Sequence, residues 1–142
     1  MSDIIRAVTE IARCGAQYRA DSLAPFGLKG CHASYLTEIC ADPGISQDTL
    51  AQRSCINKSN VARQVAILEE DGFIIRKPSQ ADKRVMELYP TEKTLELMPK
   101  ITAVTTCWEQ CLTRALTEEE IETVTRILSG MKDKAAQWME GR

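Results

Sequence analysis

The chain has 142 residues, a formal net charge of −2 and 27% charged side chains, which together suit one globular domain spanning residues 1–142. No segment approaches the roughly 18 consecutive apolar residues that a membrane-spanning helix needs, and the charged N-terminus MSDIIRAVTE is atypical of a signal peptide. We therefore expect a soluble cytoplasmic protein with no membrane partner.

Apolar residues near the N-terminus recur three and four positions apart, a spacing that predicts a helix over residues 3–20. The stretch 22–30 contains one proline and two glycines and is typical of a connector. A second helix is predicted over about 31–41, because Asp42-Pro43-Gly44 cannot continue it. The apolar positions are Ile4, Val8, Ile11, Gly15 and Tyr18 in the first helix, and Tyr35, Leu36, Ile39 and Cys40 in the second.

Residues 46–72 predict two short helices joined by a tight polar turn. Ser46 is suited to cap a helix that runs through Arg53, and Asn57 is suited to cap the next one, which ends at Gly72. This order is typical of a helix-turn-helix. The buried positions are expected to be Leu50 and Ala51 in the first of these helices, and Val61, Val65 and Leu68 in the second.

The opposite face of the second helix carries the chemistry expected of a DNA-reading surface. Short polar side chains near a helix N-terminus let the backbone approach base edges in the major groove. Asparagine and glutamine can pair with adenine and arginine with guanine, while a lysine can hold a phosphate. The candidate DNA-binding residues on this helix are Lys58, Ser59, Asn60, Arg63 and Gln64.

Two β-rich segments, 73–77 and 85–89, flank a polar loop and predict a β-hairpin wing. Asp82 lies two residues before Arg84, so its carboxylate can hold one edge of the guanidinium and orient it for a narrow minor groove. Between Arg53 and Arg84 there are seven basic and four acidic residues, a net +3, whereas the rest of the chain is net −5. A basic module on an acidic body can present one face to phosphates.

Two long helices are predicted after the wing, over about 91–115 and 117–140. Pro99 should kink the first, and Thr117 with Glu120 predicts a capping box at the start of the second. Their apolar stripes are longer than a lone winged module can cover, so we expect a homodimer. The hydrophobic residues that support this expectation are Ile4, Ile5, Ile11, Trp108, Trp138 and Met139.

These motifs resemble the MarR family of winged-helix transcriptional regulators, and the helix order extends the resemblance over nearly the whole chain. One departure is Thr94, where family members often have glycine at the start of the fifth helix. The matching residues are Ser46, Leu50-Ala51, Ser59, Leu68-Glu69-x-x-Gly72-Phe73-Ile74-x-Arg76 and Asp82-x-Arg84.

The resemblance implies a mainly α protein with a small β-hairpin wing, in which a winged module (31–90) lies between dimerisation helices (1–21 and 91–142). It implies that Lys83 and Arg84 in the wing bind DNA. It also implies a homodimer on a pseudo-palindromic operator and repression relieved by a small ligand or by oxidation. An aromatic or phenolic effector would then lie in a crevice lined by Cys14, Tyr18, His32 and Tyr35.

The chain has six cysteines and a single histidine but no Cys-x-x-Cys pair, which argues against a zinc ribbon or zinc finger. We expect no metal and no cofactor, packing roles for the thiols, and a packed position for His32. Cys55 is the exception to watch, because it lies in the polar turn before the recognition helix. A redox- or metal-responsive regulator of the same fold remains an alternative.

The sequence argues against an enzyme, because no base lies in a recognisable constellation with a nucleophile. The other alternative is a winged-helix protein-interaction module that has lost DNA binding. Gel-shift binding to random duplexes at low salt distinguishes that module from a DNA-binding regulator.

Overall fold

The predicted order of helices and wing is present in the computed structural model, which describes residues 2–142. The mainly α, winged-helix class is confirmed, and the predicted helices form with ends shifted by a few residues. The helices are α1 (Asp3–Leu23), α2 (His32–Ala41), α3 (Gln47–Ser54), α4 (Lys58–Glu70), α5 (Glu92–Thr113) and α6 (Glu118–Glu140). The strands are β1 (Ile45–Ser46), β2 (Ile74–Pro78) and β3 (Met86–Pro90), and a 3₁₀ turn covers Ala24–Phe26.

The chain divides into two compact units at the Trp108–Glu109 bond. The first unit contains the helix-turn-helix and the wing, and the second contains the end of α5 and all of α6. The organisation into one domain over 1–142 stays a prediction.

The wing is an antiparallel sheet with β3 between β1 and β2. Each predicted wing strand forms one residue later than expected, and Leu88 of β3 lies opposite Ile45 on one side and Arg76 on the other. Strand β1 was not predicted, because two residues are too few to show the alternation by which a strand is recognised. It attaches the start of the helix-turn-helix directly to the wing.

The core lies inside the first unit, around the buried stripe of α4. The predicted inward residues of α3 and α4 are all buried, which confirms the helical register of both. Each large apolar side chain removed from water contributes about 1.5–3 kcal/mol. The core residues are Leu23, Leu28, Ala33, Tyr35, Leu36, Ile39, Ile45, Leu50, Ala51, Val61, Val65, Leu68, Phe73, Ile74, Leu88 and Ile101.

The predicted caps fix where the helices begin and end. The Ser46 hydroxyl accepts a hydrogen bond from the Thr49 N–H at 3.0 Å, and the Asn57 side chain accepts one from the Ser59 N–H at 2.8 Å. After α4, Gly72 has φ +83°, a left-handed conformation that glycine adopts without strain. The chain therefore turns sharply from α4 into β2.

An ion pair between Glu69 and Arg76 joins α4 to the wing. The Arg76 guanidinium donates from Nε and Nη2 to Glu69 Oε1 at 3.1 and 2.9 Å, and its backbone N–H donates to Oε2 at 3.1 Å. Arg76 Nη1 also donates to Gln47 of α3 at 3.4 Å. These bonds lower the pKa of the Glu69 carboxyl. One arginine thus connects both helices of the helix-turn-helix to β2.

Threonines attach the start of α5 to the end of α4 and the start of the wing. The buried Thr94 hydroxyl donates to the Phe73 carbonyl, and the Thr91 hydroxyl donates to the Gly72 carbonyl at 2.7 Å. The departure from the usual family glycine at position 94 therefore adds a buried hydrogen bond at this junction.

Helix α1 packs closely against the last residue of the first unit. A Cβ on Gly15 would lie 3.0 Å from Trp108 Nε1, so the missing side chain allows the indole to approach. Tyr18 stacks on the same indole, with ring centroids 5.1 Å apart.

We expect Glu69→Gln to lower the free energy of unfolding by about 1 kcal/mol at neutral pH, a value reduced for the partial exposure of the pair. Because folding lowers the pKa of Glu69, its contribution is complete above the ordinary value of 4.5 and is lost as the pH falls through the lowered value. Urea unfolding at several pH values measures this. The exposed neighbour Glu70 is the control, since Glu70→Gln should change the unfolding free energy by less than about 0.5 kcal/mol. Equal effects of the two variants would contradict the role of the ion pair.

Candidate nucleic-acid interface

Helix α4 presents its polar residues on the side opposite its buried stripe. Ser59 and Arg63 lie four residues apart and share a face, as do Asn60 and Arg63 at a spacing of three. Arg63 is exposed and makes no hydrogen bond or ion pair with any residue in the range 2–142. It is therefore available to bind a partner molecule.

Two other predicted DNA contacts have partners within the fold. Lys58 Nζ lies 3.6 Å from Asp48 Oδ2, and both side chains are more than 70% exposed, so this pair is weak. The Ser59 hydroxyl donates to Oδ1 of the Asn57 side chain, the same oxygen that caps α4. Lys58 can exchange its carboxylate for a phosphate at little cost, whereas Ser59 is held in the cap.

Gln64 differs from the free base-reading residue that the sequence predicted. Its Oε1 lies 2.9 Å from His32 Nε2 and 3.9 Å from the Cys31 thiol, so its carbonyl is turned toward α2. Gln64 follows Val61 by three residues and precedes Leu68 by four, which puts it at the edge of the buried stripe. That spacing was the signal that could have indicated a partly buried side chain.

The wing loop holds Arg84 in the arrangement that the Asp-x-Arg spacing predicted. Arg84 donates from Nε and Nη2 to the two carboxylate oxygens of Asp82, each at 3.1 Å, and from its backbone N–H at 3.0 Å. These bonds lower the pKa of the Asp82 carboxyl. The Arg84 side chain is 90% exposed. It projects from the loop with its guanidinium oriented.

Ion pairs concentrate the positive charge of this region at a few side chains. Arg53 pairs with Asp42 at 3.1 Å, Arg76 pairs with Glu69, and Lys58 and Arg84 have the partners described above. Among the basic residues from 53 to 84, those without a carboxylate partner in the described chain are Arg63, Lys77 and Lys83. They lie on α4, on β2 and in the wing loop.

An open cleft of about 510 Å³ lies in the first unit between α1, α2 and α5. Its lining differs from the crevice predicted from the family resemblance. Of the four predicted residues, Tyr18 stacks on Trp108, His32 and Tyr35 are buried, and Cys14 is exposed. The cleft is lined by Arg19, Cys31, Ala33, Ser34, Thr37, Glu38 and Thr105.

Comparisons with known proteins agree with this architecture. The MarR family model matches residues 32–86. The chain is 30% identical over 133 residues to the HTH-type transcriptional regulator YybA of Bacillus subtilis. The aligned region covers 90% of this chain and 85% of that protein. The chain belongs to the MarR family. It is therefore a DNA-binding transcriptional regulator, and members of this family are regulators rather than enzymes.

Solved structures of MarR-family proteins resemble the chain over nearly its full length. A SlyA transcriptional regulator has a TM-score of 0.94 at 28% identity and covers 98% of each chain. A MarR-family regulator from Listeria monocytogenes, solved in complex with 26mer DNA, has a TM-score of 0.93 at 29% identity over 98% of this chain and 93% of that one.

Most of the thiols do not occupy the packed positions that the sequence predicted. That prediction is wrong for Cys14, Cys31, Cys107 and Cys111, which are exposed in the chain, and Cys55, the expected exception, is exposed as well. Helical periodicity indicated only that these positions are apolar, and exposed apolar positions remain at faces that the chain leaves uncovered. Cys40 is half-buried, and burial raises the pKa of its thiol.

His32 is buried, as predicted, and no cluster of three or more potential metal ligands occurs within residues 2–142. Over the same range, no helix is both long enough and apolar enough to cross a membrane.

We expect iodoacetamide to modify Cys55 at least about tenfold faster than Cys40 in the native protein, because a half-buried thiol with a raised pKa is less often a thiolate. Peptide mass spectrometry after timed alkylation measures both rates. The unfolded protein is the control, since both thiols should then react alike. Equal native rates would contradict the placement of Cys40.

Proposed function

We propose that this MarR-family regulator is a homodimeric repressor that reads a pseudo-palindromic operator and is released by a small ligand. Two exposed arginines carry the proposal. Arg63 on α4 has no partner in the described chain, and Arg84 in the wing loop is oriented by Asp82. The first suits guanine recognition in the major groove, and the second suits a narrow minor groove.

The remaining DNA contacts follow from the same surface. Asn60 lies beside Arg63 on α4 and can reach a base edge, whereas Lys58 and Lys83 suit phosphates. Gln64 can offer DNA only its amide N–H groups, because its carbonyl faces His32. We therefore assign it to acceptor groups on the bases rather than to two-point pairing with adenine.

Uncovered apolar faces support the homodimer. In α6, no residue is buried, and Val124, Ile127, Leu128 and Met131 are each at least 38% exposed. In α1, Ile4, Ile5, Val8 and Ile11 are at least 43% exposed. A second copy of the chain would remove these faces from water.

The cleft beside α2 is our candidate effector site. Arg19 supplies a positive charge, and Ser34 and Thr37 supply hydroxyl groups along one wall. A small aromatic or phenolic effector would match these groups, with the Glu38 carboxylate in the same lining as an acceptor for a phenol hydroxyl. Because α2 contacts α4 through His32, a ligand here could alter the position of the recognition helix.

Exposed thiols support a second candidate, a redox-responsive regulator. Cys55 has φ +54° at the end of α3, in the turn that leads into α4. Oxidation there would add a polar group where the turn sets the angle of the recognition helix. A reversible loss of operator affinity on mild peroxide treatment, abolished by Cys55→Ser, would favour this candidate.

We expect Arg63→Ala to cost about 1–3 kcal/mol on a duplex selected from a random pool and to relax base preference. Lys58→Ala is the matched variant on the same helix, and it should weaken all duplexes alike and reduce the salt slope by about one unit. Fluorescence anisotropy at several salt concentrations measures both. Equal losses for Arg63→Ala on selected and random duplexes would contradict base reading. Absence of binding to any duplex at low salt would favour the protein-interaction module.

The full-length protein should sediment as a dimer at micromolar concentration. Leu128→Glu should increase the dissociation constant of the dimer at least about tenfold, because it introduces a charge into the apolar face of α6. Arg126→Glu changes the charge on the opposite side of the same helix and should leave the dimer intact. Sedimentation of the wild-type protein as a monomer would reject the homodimer.

A further inference from the structure

His32 contacts two separate segments of the first unit. Its Nδ1 accepts a hydrogen bond from the Lys29 N–H at 3.1 Å, and its Nε2 lies 2.9 Å from Gln64 Oε1. The imidazole itself is 1% exposed. One buried side chain at the start of α2 therefore links the connector after α1 to the recognition helix α4.

These contacts fix the protonation state of the ring. A backbone N–H can only donate, so Nδ1 must be the unprotonated nitrogen. Nε2 then carries the proton, and the atom of Gln64 that faces it must be the carbonyl oxygen. The arrangement requires a neutral imidazole and also determines which end of the Gln64 amide faces away from α2.

A second proton on His32 cannot be accommodated without a change in this arrangement. It would place an Nδ1–H against the Lys29 N–H, two donors with no acceptor between them, in a buried position. The connector or the ring would have to move. Because the ring also holds Gln64, such a movement would reach the DNA-facing helix.

We propose that His32 is a positioning residue for DNA recognition, whose neutral form holds Gln64 and α4 in the binding arrangement and whose protonation weakens DNA binding. The proposal rests on α4 being the recognition helix of the proposed function. It adds a sensitivity to mild acid that the operator contacts themselves do not supply.

The buried environment of the ring favours the neutral form of His32. Burial lowers the pKa of His32, and the positive charge of Lys29 lowers it further. The Gln64 hydrogen bond and the Asp71 carboxylate at the end of α4 act in the opposite direction. Tyr35 packs edge-on against the ring, with centroids 6.5 Å apart, and the Cys31 thiol lies against Gln64.

The chain contains one histidine, so any imidazole titration belongs to this residue. We would follow the His32 ring proton by NMR against pH, in the free protein and bound to a duplex selected from a random pool. If DNA binding requires the neutral ring, DNA should lower the pKa of His32 by linkage. An unchanged pKa on DNA would overturn the proposal. This measurement uses the wild-type protein and does not depend on a variant that folds.

Affinity for the same duplex provides the second measurement. The affinity of the wild-type protein should fall at least about twofold between about pH 7.5 and about pH 5.5. His32→Gln keeps an N–H donor near the Nε2 position but cannot titrate, so its affinity should vary less than about twofold over this range. A pH-independent wild-type affinity, or equal pH dependence in the variant, would overturn the proposal.

A third measurement separates this inference from the function on which it rests. Gln64→Glu replaces the amide with a carboxylate next to Nε2–H and should raise the pKa of His32 in the free protein. No increase would overturn the proposed contact. A protein that prefers the selected duplex but binds it with the same affinity at all pH values refutes only the role of His32, whereas a protein that binds no duplex at any pH refutes the proposed function as well.

Discussion

The ion pair between Glu69 and Arg76 is the constraint on which the arrangement of helix and wing depends. Glu69 lies at the end of α4, and Arg76 lies in β2 after the sharp turn at Gly72. Hydrophobic burial of Val61, Val65 and Leu68 holds α4 in the core, but apolar contacts are not directional. The two guanidinium hydrogen bonds from Arg76 to Glu69 Oε1 are directional, and a third from Arg76 to Gln47 extends that restraint to α3.

That restraint decides which side chains are available to bind DNA. With α4 fixed by its buried stripe on one side and by Glu69 at its end, Arg63 faces away from the core. In the wing, a carboxylate again positions an arginine, because Asp82 orients the Arg84 guanidinium while the Arg84 side chain remains almost fully exposed. Local carboxylates neutralise Arg53 and Arg76, so that the basic side chains of the module without a carboxylate partner within residues 2–142 are Arg63, Lys77 and Lys83.

The apolar faces of α1 and α6 support the proposed homodimer, and the cleft beside α2 is the proposed effector site. In the proposed homodimer, a second copy of the chain would cover the exposed aliphatic side chains of these two helices. The His32 contacts connect the wall of the cleft to α4 through a single ring. The proposed ligand and the proposed protonation of His32 would therefore both act on the recognition helix.

The sequence by itself determined the helices, their caps, the buried stripes of α3 and α4, the wing and the Asp82–Arg84 pair. All of these depend on residues within a few positions of one another, where periodicity and capping chemistry are sufficient. The tertiary structure decided what depends on distant residues. Gln64 lies 32 positions from His32, so its engagement could not be recognised from helical spacing alone. The exposure of Cys14, Cys31, Cys107 and Cys111 was decided in the same way, because an apolar period identifies a face and only the packed chain determines whether that face is covered. The lining of the cleft and the pairing of β1 with β3 also depend on residues that are distant in the sequence.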